Sequence, residues 1–360
     1  MSVMRISWGP QHPASGHLRF LLDVDGDIVV GMEPDVGYTH RGIEKLAERR
    51  TYVQNIPNVE RVNCYCDAMG TVLGYVEAVE ELVGLQVPER GKFIRVITAE
   101  MNRIASHLYW MCLMSMSAGL ETMLMWTMND RELFLDLLEM YSGARITYSS
   151  FVPGGVLYDL PQGFKERTLK TLDYFEDRMK DYYSMLFRNR TFEIRTVDVG
   201  VLKRADAVKL GIVGPNLRAS GVRADVRKDE PYAVYDQLDF DIASGEQGDS
   251  YVRSLVRFHE MEQSARIIRQ ALEKIPSGPF RKKGPQMAPR GEAYSRVESA
   301  RGEIGYYVVG DGTDRPYRLK ISAPSFRNMS ALPLLIKNVS MADVPVIYMS
   351  LDLIPLDIDR

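Results

Sequence analysis

The feature that most constrains the fold of this 360-residue chain is a helical repeat of apolar residues that begins near Gly42 and ends near Pro276. Apolar side chains recur there at every third or fourth position, and proline and glycine separate the periodic stretches. Two such stretches contain Val72, Leu73, Val76, Val79 and Val83, and Leu133, Leu135, Leu137, Leu138 and Met140. This pattern predicts that the middle of the chain is mostly a helical bundle.

Strand signals flank the predicted bundle. Residues 18–31 (LRFLLDVDGDIVVG) place two β-rich runs around Asp25-Gly26-Asp27, which predicts a hairpin. Residues 304–309 and 317–321 are predicted strands around the Asp311-Gly312 turn, and a basic, Pro- and Gly-rich linker (275–293) precedes them. The predicted fold is therefore α+β, mainly α. Its parts are an N-terminal antiparallel sheet (1–40), a central helical bundle with inserted loops (41–280), and a linker with a small C-terminal α/β lobe (281–360).

Composition and charge exclude several classes of protein. Lys and Arg number 45 against 48 Asp and Glu, a net charge of −3, so no bulk positive field exists to hold a nucleic acid. Three cysteines and the lack of an apolar leader after Met1 indicate an intracellular chain. The longest apolar runs, 108–114 and 332–336, are far shorter than the roughly 18 residues that span a bilayer. We therefore expect any membrane attachment to be peripheral and to depend on a partner.

Common catalytic motifs are missing from the sequence. There is no phosphate loop, no dinucleotide-binding glycine motif, no H-E-x-x-H and no G-x-S-x-G, which weakens the hydrolase and kinase hypotheses. Cys64 and Cys66 offer two soft ligands, but a transition-metal site usually needs four. Metal binding is therefore disfavoured.

Two other features allow both a structural and a functional interpretation. His12 lies in the proline-punctuated segment 9–13 (GPQHP), where its ring either bonds to the backbone or faces a ligand. Six methionines between Met111 and Met128 either fill the core or form a pliable wall for a flat aromatic ligand. Composition alone leaves both choices open.

Seven segments and the chain terminus resemble one protein family. They are GPQHP (9–13), VGYTHRGIEKLAERRTYVQNIPNVER (36–61), RVITAEMNRIASHL (95–108), PGGVLYDLP (153–161), LRASGVRADVRKDEPY (217–232), ESARGEIGYYVVGDG (298–312), YRLKISAPSF (317–326) and the SLD…DIDR end. Together they closely resemble the 49-kDa-type subunit of respiratory complex I, which is itself similar to the large subunit of nickel-iron hydrogenases. The resemblance covers nearly the whole chain.

The resemblance implies a set of partners and a location. The family's electrons come from a 4Fe-4S cluster held by a small iron-sulfur subunit, so this chain is expected to bind no cofactor itself. A 30-kDa-type subunit and a membrane-arm subunit are the other implied partners. The implied location is the cytoplasmic face of the cell membrane, with peripheral attachment.

The hydrogenase relationship provides a test for metal binding. The hydrogenase metal is held by two C-x-x-C pairs, and the matching positions here are Asn63, Cys66, Ile354 and Asp357. One thiolate of four cannot hold nickel and iron, so hydrogenase activity is excluded on ligand count. The family instead implies a site for an electron acceptor at this place.

Family members that reduce quinone use a tyrosine, a histidine and an aspartate at the quinone headgroup, and this sequence departs at all three. Cys64 replaces the tyrosine, with Tyr65 displaced by one, and Ser117 replaces the aspartate. A one-residue deletion leaves His17 as a substitute for the histidine. We therefore predict Tyr65 and His17 as the catalytic proton donors. The predicted acceptor-binding residues are His12, Gly16, Cys64, Met114 and Ser117.

Two further positions are predicted to contact the neighbouring cluster. Arg61 matches the family's arginine there, and Thr147 stands where many members have a histidine. An imidazole would stabilise the reduced cluster by taking up positive charge, so its loss is expected to lower the cluster potential. A low-potential acceptor would fit this change.

The leading hypothesis is an electron-transfer subunit of a proton-translocating, complex I-like oxidoreductase that uses F420H2 or NAD(P)H and is not catalytic alone. The acceptor expected from the departures is methanophenazine, as in the F420H2 dehydrogenase of methanogenic archaea. One alternative is an NADH:quinone oxidoreductase subunit that reduces menaquinone or ubiquinone. A second is a non-redox scaffold that joins the cluster subunit to a membrane arm.

Overall fold

The computed structural model describes residues 3–13, 16–63 and 66–360. The N-terminal sheet is antiparallel and starts with strands β1 (Met4–Trp8), β2 (Arg19–Asp25) and β3 (Ile28–Asp35). Alternate residues of β2, among them Phe20 and Leu22, are fully buried, as expected for a sheet with one face on the core. Asp25 pairs with Ile28 across the turn, which confirms the predicted hairpin.

The middle of the chain is helical. Its helices are α1 (Ile43–Ala47), α2 (Ile56–Glu60), α3 (Ala68–Val83), α4 (Glu89–Ser117), α5 (Glu121–Ser142), α6 (Phe164–Tyr182), α7 (Arg190–Thr196), α8 (Arg204–Lys209), α9 (Pro215–Arg218), α10 (Val226–Asp229) and α11 (Ser250–Lys274). The strands β4 (Phe151–Val152) and β5 (Gly155–Val156) form a short hairpin between α5 and α6. Single turns of 3-10 helix follow α2 (Arg61–Asn63) and α10 (Tyr235–Gln237), and a π-helical turn (Tyr183–Phe187) follows α6.

Helix α4 is the centre of this bundle, where α3, α5 and α11 pack around it. The neighbouring long helices begin at aspartates whose carboxylates accept backbone N–H groups: Asp67 from Gly70 in α3, and Asp249 from Val252 in α11. Helix α3 ends at Gly84, which has the left-handed φ of 63° typical of a helix end. These local signals define the helices, and the contacts with α4 bury them.

A second antiparallel sheet follows α11 and consists of β6 (Arg290–Ser299), β7 (Gly302–Asp311) and β8 (Pro316–Ser322), in that order. It packs on α3. A Cβ at Gly74 of α3 would lie 2.9 Å from the Tyr306 ring on β7, so only glycine permits this close contact. Strand β6 begins at Arg290, inside the stretch 275–293 that the sequence predicts as a linker.

The last elements are α12 (Pro324–Asn328), α13 (Leu332–Leu335), β9 (Val339–Ser340), α14 (Val344–Leu351) and α15 (Pro355–Asp359). Strand β9 pairs with β3, so the C-terminal part of the chain completes the N-terminal sheet. One large cluster of buried apolar side chains runs through the sheets and the helices. The predicted fold class, α+β and mainly α, is confirmed, whereas the division at residues 40 and 280 stays a prediction. Among the described residues, no helix has both the length and the apolar character to cross a bilayer.

Candidate functional site

Two segments that lie at opposite ends of the sequence meet at the candidate site. A Cβ at Gly16 would lie 3.3 Å from Cγ of Pro355, the first residue of α15. The Trp8 ring lies 4.6 Å from the His12 ring and, edge-on, 5.6 Å from the Tyr348 ring of α14, measured between centroids. The N-terminal loop therefore packs against the two last helices.

The C-terminal half of α4 packs against one of these helices, α14. The indole N–H of Trp110 donates a 2.8 Å hydrogen bond to the Met349 carbonyl in α14. One turn further along α4, Met114 has no exposed surface. Ser117 is partly buried, and its hydroxyl donates to the Leu113 carbonyl of its own helix. Helix α14 thus joins the loop around His12 to the part of α4 predicted to contact the acceptor.

The predicted acceptor residues differ in their surroundings. His12 is half-buried against Trp8, whereas Gly16 and His17 are exposed and have positive φ angles of 57° and 78°. Met114 lies in the core, which supports its packing role. Cys64 and Tyr65 lie outside the described residues, so the role of Tyr65 as a proton donor stays a prediction.

The predicted cluster-contacting residues lie on neighbouring segments, connected through Glu60. The buried Glu60 carboxylate accepts the backbone N–H groups of Tyr148 (2.6 Å) and Ser149 (2.9 Å) and the Ser149 hydroxyl (2.7 Å). Thr147 precedes these residues directly and Arg61 follows Glu60 directly. Burial raises the pKa of Glu60, and the hydrogen bonds from Ser149 and Tyr148 oppose that rise. Glu60 therefore fixes the loop of Thr147 beside Arg61.

Arg61 itself is exposed. Its guanidinium donates to the Pro57 carbonyl (2.7 Å), and the Arg41 guanidinium donates to the Arg61 carbonyl (2.6 Å). Two cations therefore stand at this edge, next to a shallow pocket lined by Arg41, Ile43, Leu46, Arg50, Asn58 and Arg61. The edge around Arg61 therefore carries a positive potential.

The four positions that match the hydrogenase thiolates are all buried. Asn63, Cys66 and Ile354 are 1%, 1% and 4% exposed, and Asp357 has no exposed surface. Helix α15 contacts the turn Arg61–Asn63, so the two pairs of matching positions lie on neighbouring segments. We refer to these four positions as the old metal site. Within 3–13, 16–63 and 66–360, no three His, Cys, Asp or Glu side chains form a group that could hold a metal ion.

Polar side chains that the sequence did not identify surround these positions. The Arg301 guanidinium donates to the Ser106 hydroxyl (3.0 Å) and to Asp352 (3.0 Å), both in the protein interior. Asp67 accepts the Ala300 N–H (2.6 Å), which fixes the turn that carries Arg301. Burial raises the pKa of Asp357, although its carboxylate accepts the Ser325 N–H (2.9 Å). The site therefore combines a cation with a carboxyl group whose pKa lies above its usual value.

A larger buried ionic network holds α4, α10 and α11 together. Glu100 of α4 accepts hydrogen bonds from Arg103, Arg227, Tyr235 and Ser264, and these partners hold its pKa down to about 2 in spite of its burial. Arg218, with Glu260, Glu298 and His107, extends the network. The sequence signal for this network was the three- to four-residue spacing of Glu100, Arg103 and His107 among apolar residues of α4.

Comparison with known proteins identifies the family. The model of "Respiratory-chain NADH dehydrogenase, 49 Kd subunit" matches residues 117–288 and 282–360. A subunit of the NADH-quinone oxidoreductase of Carboxydothermus hydrogenoformans is 46% identical over 98% of both chains, and the corresponding subunit from Desulforamulus reducens is 44% identical over 98% of this chain and 97% of its own. A chain of the membrane-bound sulfane sulfur reductase, an archaeal respiratory membrane complex, superposes with a TM-score of 0.96 at 39% identity, covering 99% of this chain and 98% of its own. The chain therefore belongs to the family of the 49-kDa subunit of the respiratory-chain NADH dehydrogenase.

Proposed function

We propose that this chain forms, together with a small iron-sulfur subunit, the cavity in which a lipid-soluble two-electron carrier is reduced. The carrier takes two electrons from the 4Fe-4S cluster of that subunit and two protons from the cavity. The chain acts as one subunit of a membrane-associated, proton-translocating oxidoreductase of the complex I type, with a 30-kDa-type subunit and a membrane-arm subunit as further partners.

The single observation that carries the proposal is the conversion of the old metal site. Two buried halves still meet there, but Asn63, Ile354 and Asp357 stand at three of the four thiolate positions. Asn63 and Asp357 are polar, and Asp357 can carry a proton. Such side chains suit proton-coupled reduction of an organic carrier and do not suit nickel or iron. Beside it, the N-terminal loop at Gly16 approaches Pro355 of α15, and α4 contacts α14.

The acceptor we propose is a flat, low-potential carrier, with methanophenazine first. Support comes from the departures at Cys64, Ser117 and Thr147 and from the methionines near the end of α4, whose thioethers adapt to ring edges. The names of the relatives favour a quinone, which is the second candidate. The name of the structural neighbour adds sulfane sulfur as a third acceptor for the test.

The direct experiment compares acceptors on the purified membrane complex. We expect faster reduction of a phenazine-type carrier than of menaquinone or ubiquinone analogues, and no reduction of polysulfide. If the quinone analogues are reduced faster, quinone and not methanophenazine is the acceptor. Polysulfide as the only acceptor would contradict the proposal of a lipid-soluble carrier.

A matched pair of glycine variants tests where the carrier binds. Gly16→Ala forces a side chain into a backbone with φ of 57° and against Pro355, whereas Gly26→Ala has the same type of backbone (φ 67°) and meets no atom within 4 Å. We expect Gly16→Ala to raise the KM for the carrier and Gly26→Ala to leave it unchanged. If the two variants have the same KM for the carrier, the N-terminal loop does not line the cavity.

The scaffold hypothesis makes a different prediction for the same complex. If the chain only joins the cluster subunit to a membrane arm, variants of the cavity should change assembly and leave the turnover of assembled complex intact. Native gel electrophoresis followed by carrier reduction of the intact band separates the two hypotheses.

A further inference from the structure

The old metal site contains a group of buried polar atoms without hydrogen-bond partners among the described residues. They are both amide atoms of Asn63, Oδ1 of Asp357, Oδ2 of Asp352, Nε of Arg301 and the Tyr306 hydroxyl. Buried polar groups are almost always hydrogen-bonded, and a cluster of unpaired ones is the environment that holds ordered water. Apolar packing alone therefore does not account for this part of the interior.

Asp357 is a carboxyl group of this cluster that interacts electrostatically with both Arg301 and Tyr306. It lies in α15, two residues after the Pro355 that Gly16 approaches, and α15 contacts the turn that contains Asn63. Its Oδ2 accepts the Ser325 N–H at 2.9 Å, and Oδ1 is left for another partner. If Asp357 only capped α12, Oδ2 alone would be sufficient.

The charges around Asp357 come from several elements. Arg301, between β6 and β7, and Arg360 favour its ionised form, and Ser325 of α12 does so through hydrogen bonds. Burial raises the pKa of the Tyr306 hydroxyl on β7, and the nearby carboxylates of Asp357 and Asp67 add to that rise. Burial outweighs the two arginines and raises the pKa of Asp357. The carboxyl group can therefore hold a proton at a pH where an exposed aspartate has lost it.

We propose that Asp357 is a proton-relay residue for carrier reduction, with Asn63, Arg301 and Tyr306 as positioning residues. This inference rests on the proposed function. The carrier receives two electrons from the cluster of the neighbouring subunit. For each of its two protons, the O–H bond of Asp357 breaks, a bond from hydrogen to a ring nitrogen or oxygen of the carrier forms, and water reprotonates the carboxylate.

The test uses Asp357→Asn, Asp357→Glu and Asp357→Ala in the assembled membrane complex. Asparagine keeps an oxygen that can accept the Ser325 N–H but cannot carry the proton, glutamate keeps the proton, and alanine loses both. We expect Asp357→Asn to assemble normally, to keep clusters that are reducible as judged by electron paramagnetic resonance, and to reduce the carrier at least about tenfold more slowly, in line with general acid catalysis. Asp357→Glu should retain most of the turnover.

The pH profile gives a readout that a structural role would not change. In the wild type, turnover should fall as the pH rises through the pKa of Asp357, because only the protonated acid can donate. In Asp357→Asn this fall should disappear from the residual activity. Tyr306→Phe should lower turnover less and keep the pH dependence.

Three results would overturn the inference: turnover of Asp357→Asn within about twofold of the wild type, an unchanged pH profile, or a loss of assembly common to all three variants. If carrier reduction still responds to Gly16→Ala in those cases, the proposed function stands and only the relay fails. If neither Gly16 nor Asp357 variants alter carrier reduction, the proposed function fails as well.

Discussion

Replacing Glu100 with glutamine should destabilise the fold strongly, because this carboxylate is the central anion of the ionic network among α4, α10 and α11. Glu100 is fully buried, and Arg103 and Arg227 both contact it. Glutamine fills the same volume but carries no charge. Both guanidinium groups would then lose a buried counter-charge, a change that typically costs about 3–5 kcal/mol.

The pKa of Glu100 supports this magnitude. It lies at about 2 instead of 4.5, and each factor of ten in a protonation constant corresponds to about 1.4 kcal/mol, so the folded state favours the ionised group by about 3 kcal/mol. A lowered carboxyl pKa stabilises the fold above the unfolded pKa near 4.5 and loses that contribution as the pH falls towards 2. The difference between wild type and variant should therefore be constant from pH 7 to about 5 and shrink at lower pH.

Differential scanning calorimetry of the purified chain measures the effect. For a chain of 360 residues, with an unfolding entropy of about 2.1 cal/mol/K per residue, about 3 kcal/mol corresponds to a Tm decrease of roughly 4 °C. Two control substitutions on α11 provide smaller losses of stability for comparison. Ser264→Ala removes one hydrogen bond to Glu100 and should cost about 1.5–3 kcal/mol, and Glu262→Gln removes an exposed partner of His259 and should cost less than about 1 kcal/mol. A Tm for Glu100→Gln no lower than that of Glu262→Gln would refute the reasoning.

Three further outcomes are expected. Glu60→Ala releases the N–H groups of Tyr148 and Ser149, so the loop beside Arg61 should loosen and stopped-flow spectroscopy should show slower electron transfer from the neighbouring cluster; an unchanged rate would contradict a positioning role. Trp110→Phe removes the 2.8 Å bond to the Met349 carbonyl and should lower the unfolding free energy by about 1–3 kcal/mol in urea titrations, and a loss below about 0.5 kcal/mol would contradict it. Met114→Ala should cost about 2–5 kcal/mol by leaving a core cavity, whereas Met125→Ala, at a residue 67% exposed, should cost less than about 0.5 kcal/mol. Equal urea midpoints for the two methionine variants would show that the end of α4 is not part of the core.

The elements that the sequence predicted correctly are those with local causes. The hairpin at Asp25-Gly26-Asp27 and the strands around Asp311 follow from turn residues next to alternating apolar side chains. The long helices follow from a repeat that is visible within one helical turn. Strand β6 was missed: its first residues, Arg290–Glu292, are exposed at the edge of a sheet and resemble a linker in composition.

The candidate site was only partly accessible from the sequence. The resemblance pointed to His12 and Gly16 in or near the segment 9–13 and to Ser117 at the family's aspartate position, whereas Met114 came from the methionine-rich stretch 111–128. The sequence analysis considered Asp357 only as a position where the hydrogenase thiolate is missing. It did not predict Arg301 as a site residue. Both are ionisable groups whose role depends on burial. No local sequence pattern reveals that they are buried.

The sequence by itself determined the family, the mainly helical fold class and the loss of three metal-binding thiolates, because these are properties of residue identity and short-range spacing. Only the tertiary structure decided that Gly16 lies against Pro355, that Glu60 holds the loop of Thr147, and that the buried Asn63 and Asp357 lie on elements in contact. The physical reason is that such contacts join segments far apart in the chain. They form only when the packing of α4, α14 and the two sheets removes water from between them.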